Sequence, residues 1–233
     1  MKHASQNTIA QNIQSIRTQI RALEEKYLRQ AGSVQLLAVS KTRPIEDILA
    51  AFVENQYHFG ENYLQDALSK IENITESAIE WHFIGPIQSN KTCQITENFH
   101  WVHTIDRLKI AQRLSEQRSV ELKPLNVCIQ VNISGEKSKS GVNRDEALAL
   151  ARQIIKLPNI QLRGLMTLPA SSNNLDQQRK PFRILKELKD EIQSQGIELD
   201  TLSMGMSNDM EAAIAEGSTM VRIGTAIFGA RNK

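Results

Sequence analysis

Cysteine is scarce in this sequence, with only Cys93 and Cys128 among 233 residues. The two stand far apart, each in an apolar or mixed segment. That excludes a disulfide framework and offers no metal-ligand spacing. Buried free thiols in a reducing cytoplasm are the expectation. Long hydrophobic runs are missing too. No apolar stretch reaches membrane-spanning length, and the polar opening MKHASQNT lacks the apolar segment of a signal peptide. Nor does any Lys/Arg run stand out. With 28 basic and 26 acidic residues the net charge is +2, which argues against nucleic acid or an acidic membrane as the main partner. A GxSxG elbow, a Walker loop and the G-x-G-x-x-G turn of a dinucleotide fold are all absent.

What is present is ordinary globular material, 40% hydrophobic and 23% charged, enough for one large domain or two small ones. Residues 5–30 carry Ile9, Ile13, Ile16, Ile20, Leu23 and Tyr27 at spacings of four and three, the stripe of a helix laid on a core. Gly32 stops it. Residues 34–40, VQLLAVS, form a continuous apolar run of the kind that parallel strands buried on both faces show. Pro44 then opens a helix whose buried stripe is Ile45, Ile48, Leu49 and Phe52. The alternation repeats: strands at 57–60, 81–84, 101–105, 125–133, 162–168, 199–204 and 220–224, with helices at 63–74, 89–98, 108–117, 143–157 and 181–195. Asp106 and Asn143 are the expected caps, and Cys93 is read as buried. Eight strand signals with helices between them predict a single α/β domain, a closed parallel (β/α)8 barrel spanning residues 34–229. Too few residues follow the last strand for a full covering helix, so the N-terminal helix is expected to close that gap. No apolar helix face is left over, which predicts a monomer.

The barrel rule places a site at the C-terminal ends of the strands. Candidates there are Lys41, Glu61 with Asn62, Asn132, Ser203, Ser207, Arg222, Gly224 and Thr225. Residues 202–229 read as strand, turn, helix, strand and small-residue loop. Ser207 stands where a helix should begin, with Asn208, Asp209 and Glu211 in an acidic first turn. That loop and Gly224-Thr225 together make an anion cradle. Lys41 shares a strand face with Val39 and Leu37, where desolvation disfavours its charge. It either forms a Schiff base with a carbonyl or reaches into solvent. Arg222 lies mid-strand and needs an acceptor, either a carboxylate such as Glu61 or a ligand atom. His82 and His103 read as core histidines bonded to backbone, and no metal is expected.

The segments LLAVSKT, HFGENY, WHFIGPIQSNK, HTIDRLKIAQRL, KSKSGV, RGLM, LSMGMSNDMEAAI and STMVRIGTAIFGAR resemble, in order and over residues 34–231, the pyridoxal phosphate homeostasis protein family. That family is similar to the N-terminal barrel of alanine racemase. The resemblance implies that Lys41 carries pyridoxal 5'-phosphate as a Schiff base. It implies that Ser207 and the backbone around Met206, Gly224 and Thr225 hold the phosphate, that Arg222 faces the pyridine nitrogen, and that Asn62 lies near the ring. Arg keeps its proton, so the ring nitrogen stays unprotonated and the ring is a weaker electron sink than one supported by Asp. Racemases of similar build add a Tyr as second base, and the tyrosines available here are Tyr27, Tyr57 and Tyr63. The expected function is a cytoplasmic vitamin B6 homeostasis protein that buffers the cofactor or delivers it to apo-enzymes with little turnover. The alternatives are a small racemase using Tyr63, His82 or a partner subunit as base, and a Schiff-base aldolase or phosphosugar enzyme. Loop 134–141, with Lys137 and Lys139, reads as a solvated loop or a secondary transfer site.

Overall fold

The computed structural model describes residues 6–134 and 140–230. Lys137 and Lys139 lie outside the described residues, as does residue 5 at the expected helix start. Eight strands pair in sequence order into a closed parallel barrel. They are β1 Gln35–Val39, β2 His58–Glu61, β3 Glu80–Phe83, β4 Trp101–Ile105, β5 Leu125–Gln130, β6 Ile160–Met166, β7 Thr201–Ser203 and β8 Met220–Ile223. β8 closes onto β1 with Leu37 opposite Arg222. The surrounding helices are α1 Gln6–Lys26, α2 Ile45–Val53, α3 Leu64–Asn73, α4 Thr92–Asn98, α5 Leu108–Gln117, α6 Arg144–Ile154, α7 Leu175–Ser194, α8 Met210–Ala215 and α9 Thr225–Phe228.

Side-chain alternation divides the interior in two. Leu36, Ala38, Phe59 and Val221 face the helices and join the main core. Residues of the opposite parity face the barrel axis. There Leu37, Ile84 and Met220 form one small apolar cluster, and Trp101, Cys128 and Met166 another. Helix α1 follows its isoleucine stripe: Ile9, Ile13, Ile16 and Ile20 are buried. It packs against α2, α8 and α9, so it covers the side of the barrel where β8 has only a four-residue helix behind it. Asn12 Nδ2 donates to the Ile227 carbonyl at 2.8 Å, which fixes the join.

Several boundaries differ from the sequence reading. α7 starts at Leu175, capped by the Asn174 side chain, and carries Pro181 in its interior. A Pro there leaves the carbonyl four residues earlier without its helical donor, a cost that packing of Phe182, Leu185, Leu188 and Ile192 outweighs. β5 ends at Gln130, and Val131 then bridges to Val142. α5 is preceded by Arg107, not Asp106, whose carboxylate instead pairs with the Arg107 guanidinium. In α2 the buried positions are Asp47, Ile48 and Ala51, so Leu49 stands off the stripe. α8 begins at Met210, three residues after Ser207. Cys93 is exposed, on the outer side of α4, while Cys128 is buried as expected. Asn143 does cap α6, in a reciprocal box with Glu146.

Candidate functional site

The C-terminal ends of the strands open into a cavity of about 820 Å³. Lys41, Asn62, Met206, Ser207, Arg222, Gly224 and Thr225 all line it. The fold thus brings together seven residues spread over 185 positions, drawn from the ends of β1, β2, β7 and β8.

Lys41 follows β1 two positions after Val39, so its side chain continues the axis-facing row. The residues on either side of it are clamped from behind. The Ser40 hydroxyl donates to Glu61 Oε1 at 2.6 Å, and Lys70 Nζ donates to the Ser40 carbonyl (2.9 Å), to Glu61 Oε1 (2.8 Å) and to Asp66 Oδ2 (2.8 Å). Thr42 N–H donates to the same Asp66 oxygen at 3.1 Å, and Thr42 sits in the left-handed region at φ 61°. Such a backbone persists in a non-glycine residue only where its surroundings over-determine it. Glu61 and Lys70 therefore serve the outer face of the sheet, behind Lys41. Burial raises the Glu61 pKa, and the Lys70 ammonium works against that rise. Sequence reading missed Lys70, whose signal was only a Lys on the inner side of α3, nine residues after Glu61.

Arg222 is buried on the axis face of β8. Its Nη1 donates to the Ser203 carbonyl and to Ser203 Oγ (2.8 Å), and its Nη2 to the Thr167 carbonyl (2.8 Å). Its acceptors are thus backbone carbonyls and a hydroxyl, not Glu61, which lies on the other face of the sheet. Burial lowers its pKa to about 10, and the Asp209 carboxylate opposes the fall. The guanidinium stays charged at neutral pH.

His82 and His103 are fully buried, but they bond each other instead of backbone. His82 Nδ1 lies 3.0 Å from His103 Nε2, and His103 Nδ1 lies 2.8 Å from Ser203 Oγ. Burial drives the His103 pKa to about 3, with the Arg222 charge adding to the fall. The sequence could not show this, because the contact runs between strands across the barrel axis.

Two rim loops face the cavity. One holds Met206, Ser207 and Asn208 before α8, and Asp209 Oδ1 accepts from Met206 N–H at 2.5 Å, shaping the turn. The other is Gly224-Thr225. The N–H groups of Ser207 and Thr225 meet no acceptor among the described residues. Gly205 turns the chain out of β7 at φ 99°, and a Cβ there would lie 2.5 Å from Ala213 Cβ. At the end of β3, Gly85 lets the Asn62 backbone approach, since a Cβ would sit 2.0 Å from the Asn62 carbonyl oxygen. Asn62 Oδ1 is buried in the cavity wall without a hydrogen-bond partner among the described residues. A buried amide oxygen left so costs about 1–3 kcal/mol, and a ligand donor would remove that cost.

The model of the family described as "Alanine racemase, N-terminal domain" matches residues 11–232. The pyridoxal phosphate homeostasis protein of Vibrio alginolyticus is 58% identical over 230 residues, covering 97% of this chain and 99% of its own length. This chain belongs to the pyridoxal phosphate homeostasis protein family. That of Pseudomonas aeruginosa is 53% identical, with 97% of each chain covered. Among solved structures, PipY of Synechococcus elongatus with pyridoxal phosphate (PLP) bound is 33% identical, covers 95% of this chain and all of its own, and has a TM-score of 0.83. Alanine racemase of Clostridium difficile matches at a TM-score of 0.78 with 15% identity, and only 58% of that enzyme is covered. That last likeness shows the shared barrel and nothing more.

Proposed function

We propose that this chain binds pyridoxal 5'-phosphate as a Schiff base on Lys41, and that it buffers or delivers the cofactor with little or no turnover. The observation that carries the reading is the convergence on one cavity of a lysine, two loops with open N–H donors and a buried arginine. The names of the family's members and the PLP-bound PipY structure support it. When bound, the cofactor supplies an aldehyde that condenses with a primary amine and a ring that withdraws electrons.

In this reading Lys41 provides the amine. Ser207, on the loop that begins at Met206, and the backbone of Gly224 and Thr225 hold the phosphate, with the open N–H groups of Ser207 and Thr225 as donors. Asn62 lends its orphaned amide oxygen to a donor on the ligand. Arg222 holds its proton and directs a donor, not a removable proton, at whatever acceptor meets it. The racemase alternative needs a second base in the cavity. Tyr27 donates to Glu211, Tyr57 donates to Asn55, Tyr63 is exposed at the start of α3, and His82 lies deep on the axis. None of the four lines the cavity, which favours binding over turnover.

The test is spectroscopic. Purified protein should be yellow, borohydride should bleach it and leave the cofactor covalently attached, and Lys41→Ala should be colourless. Colour that survives in Lys41→Ala would overturn the Schiff base. A panel of L-amino acids with chiral product analysis addresses turnover, and racemisation at ordinary enzyme rates would replace this reading with the racemase.

A further inference from the structure

The hydrogen-bonded chain that begins at Arg222 and Ser203 does not end at His82. His82 Nε2 lies 3.1 Å from His58 Nδ1, and His58 Nδ1 lies 3.4 Å from Glu80 Oε2. This end of the chain is at the starts of β2 and β3, the face of the barrel opposite the cavity. The proposed cofactor site makes no use of it.

We propose that His58 Nδ1, His82 Nε2 and the Glu80 carboxylate form a binding site for a divalent cation of the Zn²⁺ class. The three atoms all lie within 4.8 Å of one another. A tetrahedral ion with bonds of about 2.0–2.1 Å holds neighbouring ligand atoms roughly 3.3 Å apart. His58 Nδ1 lies 3.1 Å from His82 Nε2 and 3.4 Å from Glu80 Oε2, which bracket that value, and the third pair lies within 4.8 Å. Two imidazoles and one carboxylate suit Zn²⁺ and its neighbours, not Mg²⁺ or Ca²⁺, which prefer oxygen. The donors are held rigidly, because His58 pairs with Glu80 and Gly60 with His82 across adjacent strands. The His82 ring also stacks on Trp101, with centroids 5.4 Å apart and planes within 9°.

The outer support is equally complete. A metal-bound histidine usually passes its other N–H to a fixed acceptor, and His103 Nε2 stands 3.0 Å from His82 Nδ1 for that purpose. An ion on His82 Nε2 sets both buried rings as Nδ1–H tautomers. Ser203 Oγ then accepts from His103 Nδ1 as well as from Arg222, so the ion orients donors up to the floor of the cavity. Access is from solvent, since the His58 and Glu80 side chains are 26% and 45% exposed.

Sequence reading missed this site: Glu80 and His82 stand two apart on β3, but His58 comes from β2 and meets them only through strand pairing.

The experiment is titration of the chelator-treated full chain with Zn²⁺ by calorimetry, and with Co²⁺ by visible absorption. Wild type should bind one ion per chain, with the strong d–d bands of tetrahedral Co²⁺. His58→Gln and Glu80→Gln replace partly exposed side chains and should keep the wild-type melting temperature. Each should weaken Zn²⁺ binding at least about tenfold. Absence of stoichiometric binding in wild type would overturn the assignment, as would unchanged affinity in both variants. A thiolate-to-Co²⁺ charge-transfer band would place the ion on exposed Cys93 and overturn it equally.

Discussion

Lys70 illustrates what one residue can hold in place. Its side chain is 4% exposed, and it is bonded to Glu61, which has no exposure at all. Removing one partner of such a pair leaves an uncompensated buried charge. Lys70→Met should therefore cost about 3–5 kcal/mol in urea unfolding, and adding Glu61→Gln should recover part of the loss by removing the stranded charge. If the single variant unfolds like wild type, the Glu61–Lys70 pair is not a buried support of the β1 end. The two thiols make a second residue-scale test. Burial pushes the Cys128 thiol up to about 12, whereas Cys93 is exposed and donates to Glu97. A disulfide-exchange reagent should count one thiol in the native protein and two after unfolding. Two thiols reacting at one rate in the native state would contradict the burial of Cys128.

At the scale of elements, α7 and α8 are tied by one carboxylate. Glu216, which ends α8, accepts from Arg179 at 2.7 Å and from Arg183 at 2.9 Å, both on α7. Burial alone would raise its pKa, but the bonds to Arg183 and Arg179 outweigh that and leave it below 4.5. A depressed carboxylate pKa means the unfolded chain binds the proton first as pH falls. The stability it adds is then complete above about pH 4.5 and drains away as pH drops through the lower folded value. Glu216→Gln should thus be less stable than wild type at pH 7, and the gap should close on acidification below that point. A gap that stays constant from pH 7 to pH 3 would show that the ion pairs contribute nothing. Element type was readable in advance where the pattern is strong: the isoleucine stripe of α1 and the VQLLAVS run of β1 both follow from burial on one or both faces. Ends were less readable. Ser207 and Pro181 stand at the expected helix starts, yet α8 begins at Met210 and α7 at Leu175; α5 spans 108–117 as expected, with Arg107 in place of Asp106 as its cap.

For the whole molecule, closure of eight strands turns a list of strand ends into one cavity. A ligand that binds only the folded state stabilises it by mass action, about 2.7 kcal/mol at a hundredfold excess over Kd. Pyridoxal 5'-phosphate should therefore raise the melting temperature of the full chain, and the rise should shrink in Lys41→Ala. An equal rise in both would place the stabilising contact away from Lys41. The axis of the barrel shows the limit of one-dimensional reading. Sequence reading expected core histidines bonded to backbone, but polar side chains of β2, β3, β4, β7 and β8 meet there in a single chain of contacts.

Periodicity by itself determined the alternating strands and helices, and the barrel they imply. The residue types at the strand ends by themselves marked Lys41, Glu61, Asn62, Asn132, Ser203, Ser207, Arg222, Gly224 and Thr225 as candidates, and the family resemblance narrowed them to one cofactor set. These are local properties, written in spacing and in the chemistry of each side chain. The tertiary structure alone decided which acceptors meet Arg222, which histidines touch, and that Lys70 supports the turn beside Lys41. Each of those depends on strand register and on which face a residue presents. Register is settled by the cooperative packing of the entire barrel, and no short stretch of sequence carries it.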